Sequence, residues 1–298
     1  MADRRSTVTR ADPVLLDAVT ALRAAGSVFA EDEAAALVAE ARDASHLAEM
    51  IERRTGGTPL EQVLGWAELA GLRVPVAPGV FVPRRRSELL VAEAVALLGS
   101  WGAGATNAQP GAPARPGVPR PARPVVVDLC CGTGAVGAAI AAAREVELYA
   151  ADIDPAAVAC ARRTVQPADH VLLGDLFDAL PVALRGCVDV LVANAPYVPT
   201  DEIRLMPPEA REHEPHRALD GGPDGLDMHR RVAHGAGEWL APGGRLIVET
   251  SERQAPGTVS IVRSAGLVPR VVRREEIDAT VVVGSRPADR AGVRRERS

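Results

Sequence analysis

The sequence predicts a doubly wound α/β fold, a mostly parallel sheet covered by helices on both faces, behind a small N-terminal helical domain. Three observations carry this prediction. From Pro124 onward, short apolar runs alternate with helix-period segments, the pattern of a parallel sheet built from β–α–β units. The glycine-rich loop Gly132-Thr133-Gly134 leaves the first of those runs and enters a helix, as a ligand-cradling loop at a helix N-terminus would. The first 65 residues carry helical periodicity alone.

Taken in order, Asp12 before Pro13 sets an N-cap followed by proline at the first helical position, and Leu15, Val19 and Leu22 fall on one face. A second, alanine-rich helix follows Glu31, and a third occupies residues 45–54 and stops at Gly56-Gly57. Thr58-Pro59-Leu60-Glu61 repeats the cap signature, with glutamate three residues after threonine. Residues 1–65 thus form a helical domain. Over 66–86 the period becomes two: Leu72, Val74 and Val76 alternate, Pro78-Gly79 turns the chain, and Val80 and Val82 resume, which predicts a connecting β-hairpin.

Ser87 caps a helix that runs to residue 98, and residues 99–124, rich in glycine, alanine and proline, predict a flexible insertion. Seven strands follow, at 125–129, 148–152, 171–173, 188–193, 245–250, 267–272 and 280–283. Helices are expected at 134–144, at 155–164 with Asp154 as cap, and near 228–240 ahead of the turn Pro242-Gly243-Gly244. The α/β domain therefore covers 87–285, and the charged stretch 286–298 reads as a disordered tail.

Composition narrows the function classes. Hydrophobic residues make up 47% and charged residues 24% of 298, a soluble globular mix. No apolar run approaches the roughly 18 residues of a membrane span, and the chain is expected to be cytoplasmic. Net charge is −5 and the chain has no lysine, which speaks against direct nucleic-acid binding, where phosphate neutralisation supplies most of the affinity. Cys130, Cys131, Cys160 and Cys187 form no Cys-x-x-Cys pair, so free thiols are expected and no metal site.

The loop Asp128-Leu129-Cys130-Cys131-Gly132-Thr133-Gly134 can approach a ligand closely, and residues 132–137 also match the Gly-x-Gly-x-x-Gly dinucleotide fingerprint. Alone it separates no nicotinamide enzyme from a methyltransferase. Asp152, at the end of the second strand, can accept both ribose hydroxyls of an adenosine cofactor. Asp175 at the end of the third can receive the adenine amino group, and Phe177 can lie against the ring. The fourth strand runs into Asn194-Ala195-Pro196-Tyr197. A planar amide or amino nitrogen is a poor nucleophile; Asn194 Oδ1 and the Ala195 carbonyl can each accept one of its N–H groups, Pro196 stiffens the turn, and Tyr197 can stack on the flat group. This set points to transfer of a sulfonium methyl group to such a nitrogen.

In this order the motifs resemble those of the protein-(glutamine-N(5)) methyltransferases, the HemK/PrmC family that methylates the glutamine of a Gly-Gly-Gln loop in peptide-chain release factors. Thr58 to Gly65, Pro78-Gly79-Val80-Phe81-Val82-Pro83-Arg84 with Glu88, Glu214 to Gly222, Asp224-Gly225-Leu226-Asp227, Pro242-Gly243-Gly244, and Glu249 with Gln254 carry the resemblance. It implies a Rossmann-like class I domain that uses S-adenosylmethionine and releases S-adenosylhomocysteine. It further implies that Cys131, Gly132, Gly134, Asp152 and Phe177, with Asp128, Asp175 and Asn194, bind the cofactor. Asn194, Pro196 and Tyr197 would be catalytic, residues 194–197 would bind the glutamine, and the N-terminal helices would help recognise a release factor. Three departures mark a divergent paralogue of actinobacterial type: Ala195 in place of the first of two prolines, Arg85-Arg86-Ser87 in place of proline, an acid and threonine, and Thr250-Ser251 after Glu249. The alternatives are an exocyclic-amine methyltransferase acting on nucleic acid or a small molecule, and a non-catalytic protein that binds the same cofactor.

Overall fold

The computed structural model describes residues 13–99 and 122–288. The insertion expected at 99–124 falls mostly outside the described residues, as do Asp12 and most of the tail expected at 286–298.

Helices α1 (Pro13–Ala24), α2 (Ala30–Glu40), α3 (Ala44–Thr55) and α4 (Leu60–Leu64) form the helical domain around Val19, Leu22, Leu37, Leu47 and Met50. The Asp43 side chain caps α3 by accepting from His46 N. The expected Thr58 cap is not made: Pro59 occupies the N-cap of α4 without a side-chain bond. The proline already fixes φ there, leaving threonine one position too early to reach the first turn.

The hairpin is displaced from its expected place. Strand β1 (Trp66–Leu69) pairs antiparallel with β2 (Leu72–Pro75) across Ala70-Gly71, while Val80 and Val82 are buried outside any strand. Leu69 and Val74 are fully buried in the same cluster as α5 (Glu88–Gly99) and α6 (Ala135–Ala143). Burial of that kind stabilises by about 1.5–3 kcal/mol per side chain, so the hairpin is part of the α/β core rather than a free connector. Ser87 sits in a short 3-10 turn just before α5, its hydroxyl turned to Asn194 instead of capping the helix.

Strands β3 (Val125–Leu129), β4 (Glu147–Asp152), β5 (Val171–Leu173), β6 (Val188–Ala193), β7 (Leu240–Thr250), β8 (Val268–Arg274) and β9 (Ala279–Ser285) form one sheet in the order β5-β4-β3-β6-β7-β9-β8. All neighbours are parallel except β9, which runs antiparallel to both β7 and β8. Helices α5, α6 and α7 (Pro155–Ala161) cover one face. The other is covered by α9 (Asp227–Trp239) and by α10 (Ala255–Ser264), which the sequence reading omits, while the short α8 (Pro208–His213) stands over the strand ends. The order reverses between β3 and β6, which opens a crevice at their carboxyl ends. Both candidate loops begin there.

The helical domain is fastened beside that crevice. Arg54 donates twice to Glu33, each at 2.8 Å, and lies 3.7 Å from Glu209 on α8. Gln62 Nε2 donates to the His213 carbonyl at 3.4 Å.

Candidate active site

The crevice opens into a cleft of about 1560 Å³ lined by the β3, β4 and β6 loops, by α8 and by Phe29 and Leu60 of the helical domain. Among the described residues no His/Cys/Asp/Glu cluster could hold a metal, and no helix is long and apolar enough to cross a membrane.

One half of the cleft is built from backbone amides and carboxylates. Gly132 has φ +54° with nothing within 4 Å of a notional Cβ, so its peptide faces open space, and its N–H donates to Asp152 Oδ2 at 2.9 Å. Asp152 Oδ1 accepts from Asp154 N at 2.9 Å, and Asp154 in turn caps α7 through Ala156 N. Burial raises the Asp152 pKa against the pull of those amides. Asp128 is 2% exposed and accepts from Gly137 N at 2.9 Å; burial pushes its pKa up to about 7. It thereby anchors α6 to β3, and it also lines the cleft. Cys131 lines the cleft as well, and burial pushes the thiols of Cys130 and Cys131 far up, which removes them as nucleophiles. Asp175 is ion-paired with Arg231 at 2.7 Å.

Two expected residues turn elsewhere. Gly134 does not line the cleft: at φ +75° a Cβ there would meet Val165 Cγ2 at 2.9 Å and Ala161 Cβ at 3.2 Å, so glycine serves close packing against the end of α7. Phe177 is also outside the lining; its ring stacks on Trp239 at 5.8 Å and covers Gly235. The left-handed φ of +48° at Leu176 turns the chain so that Leu176, not Phe177, faces the cleft.

The other half is built from side chains. Asn194 follows β6 directly, and its Nδ2 donates to Ser87 Oγ at 3.1 Å, which leaves Oδ1 for the cleft. Ala195 is buried, and Pro196 and Tyr197 line the wall. The Tyr197 hydroxyl donates to Glu249 Oε1 at 3.2 Å at the end of β7. Burial, with Glu249 alongside, raises the Tyr197 pKa, so the phenol stays neutral. Glu249 is 1% exposed, and burial raises its pKa against Ser87, Arg86 and Tyr197. Gln254 Nε2 donates to the carbonyls of Tyr197 at 2.8 Å and Asp224 at 3.1 Å. Beneath them the buried His229 bonds Thr258 at 3.0 Å; burial lowers its pKa to about 4, so it is neutral. Arg84 pairs with the buried Glu214 at 2.5 Å and closes the far wall.

Ser87 is thus not the helix cap its position predicts, and Glu249 and Gln254 are marked in the sequence by the family resemblance alone. A carboxylate ending the apolar run Leu246-Ile247-Val248 was the available signal, because a buried charge needs partners.

A methyltransferase-domain family matches residues 126–213. The chain is 32% identical over 236 residues to a release factor glutamine methyltransferase of Mycobacterium tuberculosis, covering 77% of this chain and 70% of that protein. A protein of the same name from Streptomyces coelicolor is 36% identical over 210 residues, covering 69% and 67%. A 4-amino-L-phenylalanine/4-methylamino-L-phenylalanine methyltransferase of Streptomyces pristinaespiralis is 34% identical over 220 residues, covering 72% and 69%. With a cleft of this construction at the carboxyl ends of a seven-stranded sheet, and relatives matched along most of both chains, this protein belongs to the release factor glutamine methyltransferase family.

Proposed function

We propose that this protein transfers a methyl group from S-adenosylmethionine to the side-chain amide nitrogen of a glutamine in a peptide-chain release factor. The observation that carries the reading is the engagement of Asn194 Nδ2 by Ser87: Oδ1 and the Ala195 carbonyl are then two acceptors for the two N–H groups of a primary amide.

The cofactor half suits the cofactor. The open peptide at Gly132 lets a ligand approach the backbone, and Asp152 keeps lone pairs for ribose hydroxyls beside the two amides it already accepts. When bound, S-adenosylmethionine supplies a methyl group on a positively charged sulfur. Asn194 and the Ala195 carbonyl hold the acceptor nitrogen by its hydrogens and stabilise the positive charge that grows there. Tyr197, neutral and tied to Glu249, offers a flat wall rather than a base. The nitrogen acidifies as the new N–C bond forms, so its proton leaves late, to water, with no protein base required. The reading implies a cytoplasmic site of action and a protein partner that seats on the helical domain beside the cleft.

The test is incubation with methyl-labelled cofactor and a release factor, or that factor with its loop glutamine changed to alanine. Label on the intact factor, absent from the changed one and from reactions with Asn194→Ala, supports the reading; label independent of that glutamine overturns it. The Streptomyces pristinaespiralis relative is named for an aryl-amine acceptor, and Ala195 relaxes the turn beside the acceptor. An arm with 4-amino-L-phenylalanine therefore tests a second reading, methylation of a small-molecule amine.

A further inference from the structure

The geometry points to Glu249 and Ser87 as positioning residues that decide which way round the Asn194 side-chain amide is held, presenting its oxygen rather than its nitrogen to the acceptor. This rests on the methyl-transfer reading above and adds to it two residues with an assigned task.

Ser87 is 1% exposed, and its Oγ accepts from Asn194 Nδ2 at 3.1 Å. An amide NH2 has no lone pair to offer in return, so the single proton of the hydroxyl must go elsewhere. Glu249 is the carboxylate beside it, and the hydroxyl favours its charged form. Of its two oxygens, Oε1 takes the Tyr197 phenol at 3.2 Å, and Oε2 is buried with no partner among the described residues. The proton of Ser87 belongs on that oxygen.

The result is a directed chain: Asn194 Nδ2 donates to Ser87, and Ser87 donates to Glu249. Burial raises the Glu249 pKa against Ser87, Arg86 and Tyr197; in its ionised form the carboxylate only accepts, and the end of the chain at Glu249 then fixes the sense of every bond before it. A terminal group able to donate would allow the reverse sense. Ser87 would then donate to Asn194 Oδ1, and Asn194 would turn its NH2 to the cleft, where it would face the acceptor N–H that Oδ1 otherwise receives, with the Ala195 carbonyl left as the one acceptor. Other groups around Glu249 fit the assignment. Arg86 favours its charged form, Tyr197 donates to it, and the neutral His229 packs against the Tyr197 ring at 6.3 Å.

Glu249→Gln keeps the shape and introduces a donor; Ser87→Ala breaks the chain; Ser87→Thr keeps the hydroxyl. With a release factor as acceptor, Glu249→Gln and Ser87→Ala should each lower kcat about 10²-fold. Acceptor KM should rise severalfold while the calorimetric Kd for S-adenosylhomocysteine stays within about twofold. Ser87→Thr should restore the rate to within about threefold, and the Ser87→Ala/Glu249→Gln double variant should be no slower than either single one, because both cut the same chain. A double variant that multiplies the two losses, or a Ser87→Ala enzyme at full rate, overturns the assignment.

An arm without acceptor separates this assignment from the substrate reading. By NMR, the Asn194 side-chain amide protons should exchange slowly in the wild type and in Ser87→Thr, and faster in Ser87→Ala and Glu249→Gln, where the NH2 faces water. If the wild-type enzyme leaves a release factor unlabelled while this exchange pattern holds, the substrate reading fails and the orienting chain stands. Equal exchange rates in all four proteins overturn the chain itself.

Discussion

The two halves of the cleft are held by different kinds of bond. On the side proposed for the cofactor the carboxylates of Asp152 and Asp128 accept backbone amides two to twenty residues away, at 2.9 Å throughout. On the acceptor side the bonds run between side chains, or from a side chain to a carbonyl, and join residues 52, 57 and 107 positions apart. The Asp128 and Asp152 bonds need only the consecutive elements β3, α6 and β4; the acceptor side needs β6, β7 and the turn before α5 to be assembled. Local construction tolerates substitution around it, and long-range construction concentrates risk in a few side chains.

That contrast can be broken most directly at Asn194. Asn194→Ala should lower methyl transfer about 10²–10³-fold while calorimetry finds a far smaller loss of S-adenosylhomocysteine affinity; an equal loss of cofactor affinity would mean the halves are not separable. Gln254→Ala strips the half-buried Tyr197 carbonyl and the Asp224 carbonyl of a donor and should cost about 1 kcal/mol in denaturant unfolding, with acceptor KM raised and cofactor affinity kept.

Asp128 probes the other half through pH. Its folded pKa, about 7, lies above the unfolded value of 3.8, so its contribution is full below pH 4 and is lost as pH rises through 7. Between pH 5 and 7 the wild type should lose about 2 kcal/mol from this group, and Asp128→Asn should flatten that slope; an unchanged slope would show that Asp128 ionises freely in the fold. The smallest effect is expected at Cys130, which holds φ +57°. Cys130→Gly relieves left-handed strain of about 1–2 kcal/mol but adds unfolded-state entropy, so the thermal midpoint should move by only a few degrees.

The same contrast explains what could be read from the sequence. The strands were legible because those buried on both faces are short valine- and leucine-rich runs with a single aspartate each, as in Val125–Leu129 and Val188–Ala193. The Gly132 turn and Asp152 were legible because their partners lie nearby in the chain. The hairpin was misplaced because Pro78-Gly79 is the louder turn signal, whereas the real turn uses Ala70 at φ +51° beside Gly71. Helix α10 was hidden by Pro256-Gly257 in its first turn, a pair that reads as a breaker, although proline is tolerated there. Phe177 was drawn to the cofactor by residue type; the backbone turn at Leu176 that points it into the core has no signature in the sequence. The tetrapeptide was visible, but not Ser87 behind it, since no local pattern announces a contact 107 residues away.

Strand β9 gives the acceptor half a dependence on time. It lies between β7 and β8 and sets Val281 opposite Glu249, yet among the described strands it is the last in chain order. During synthesis, β7 therefore keeps an open edge until residues 279–285 have left the ribosome. The Asp128 and Asp152 bonds of the other half are complete by Asp154 and can form much earlier. Asp128 and Asp152 can thus be fixed in the growing chain before Glu249 and Asn194 are held in register, a step that waits for the final described strand.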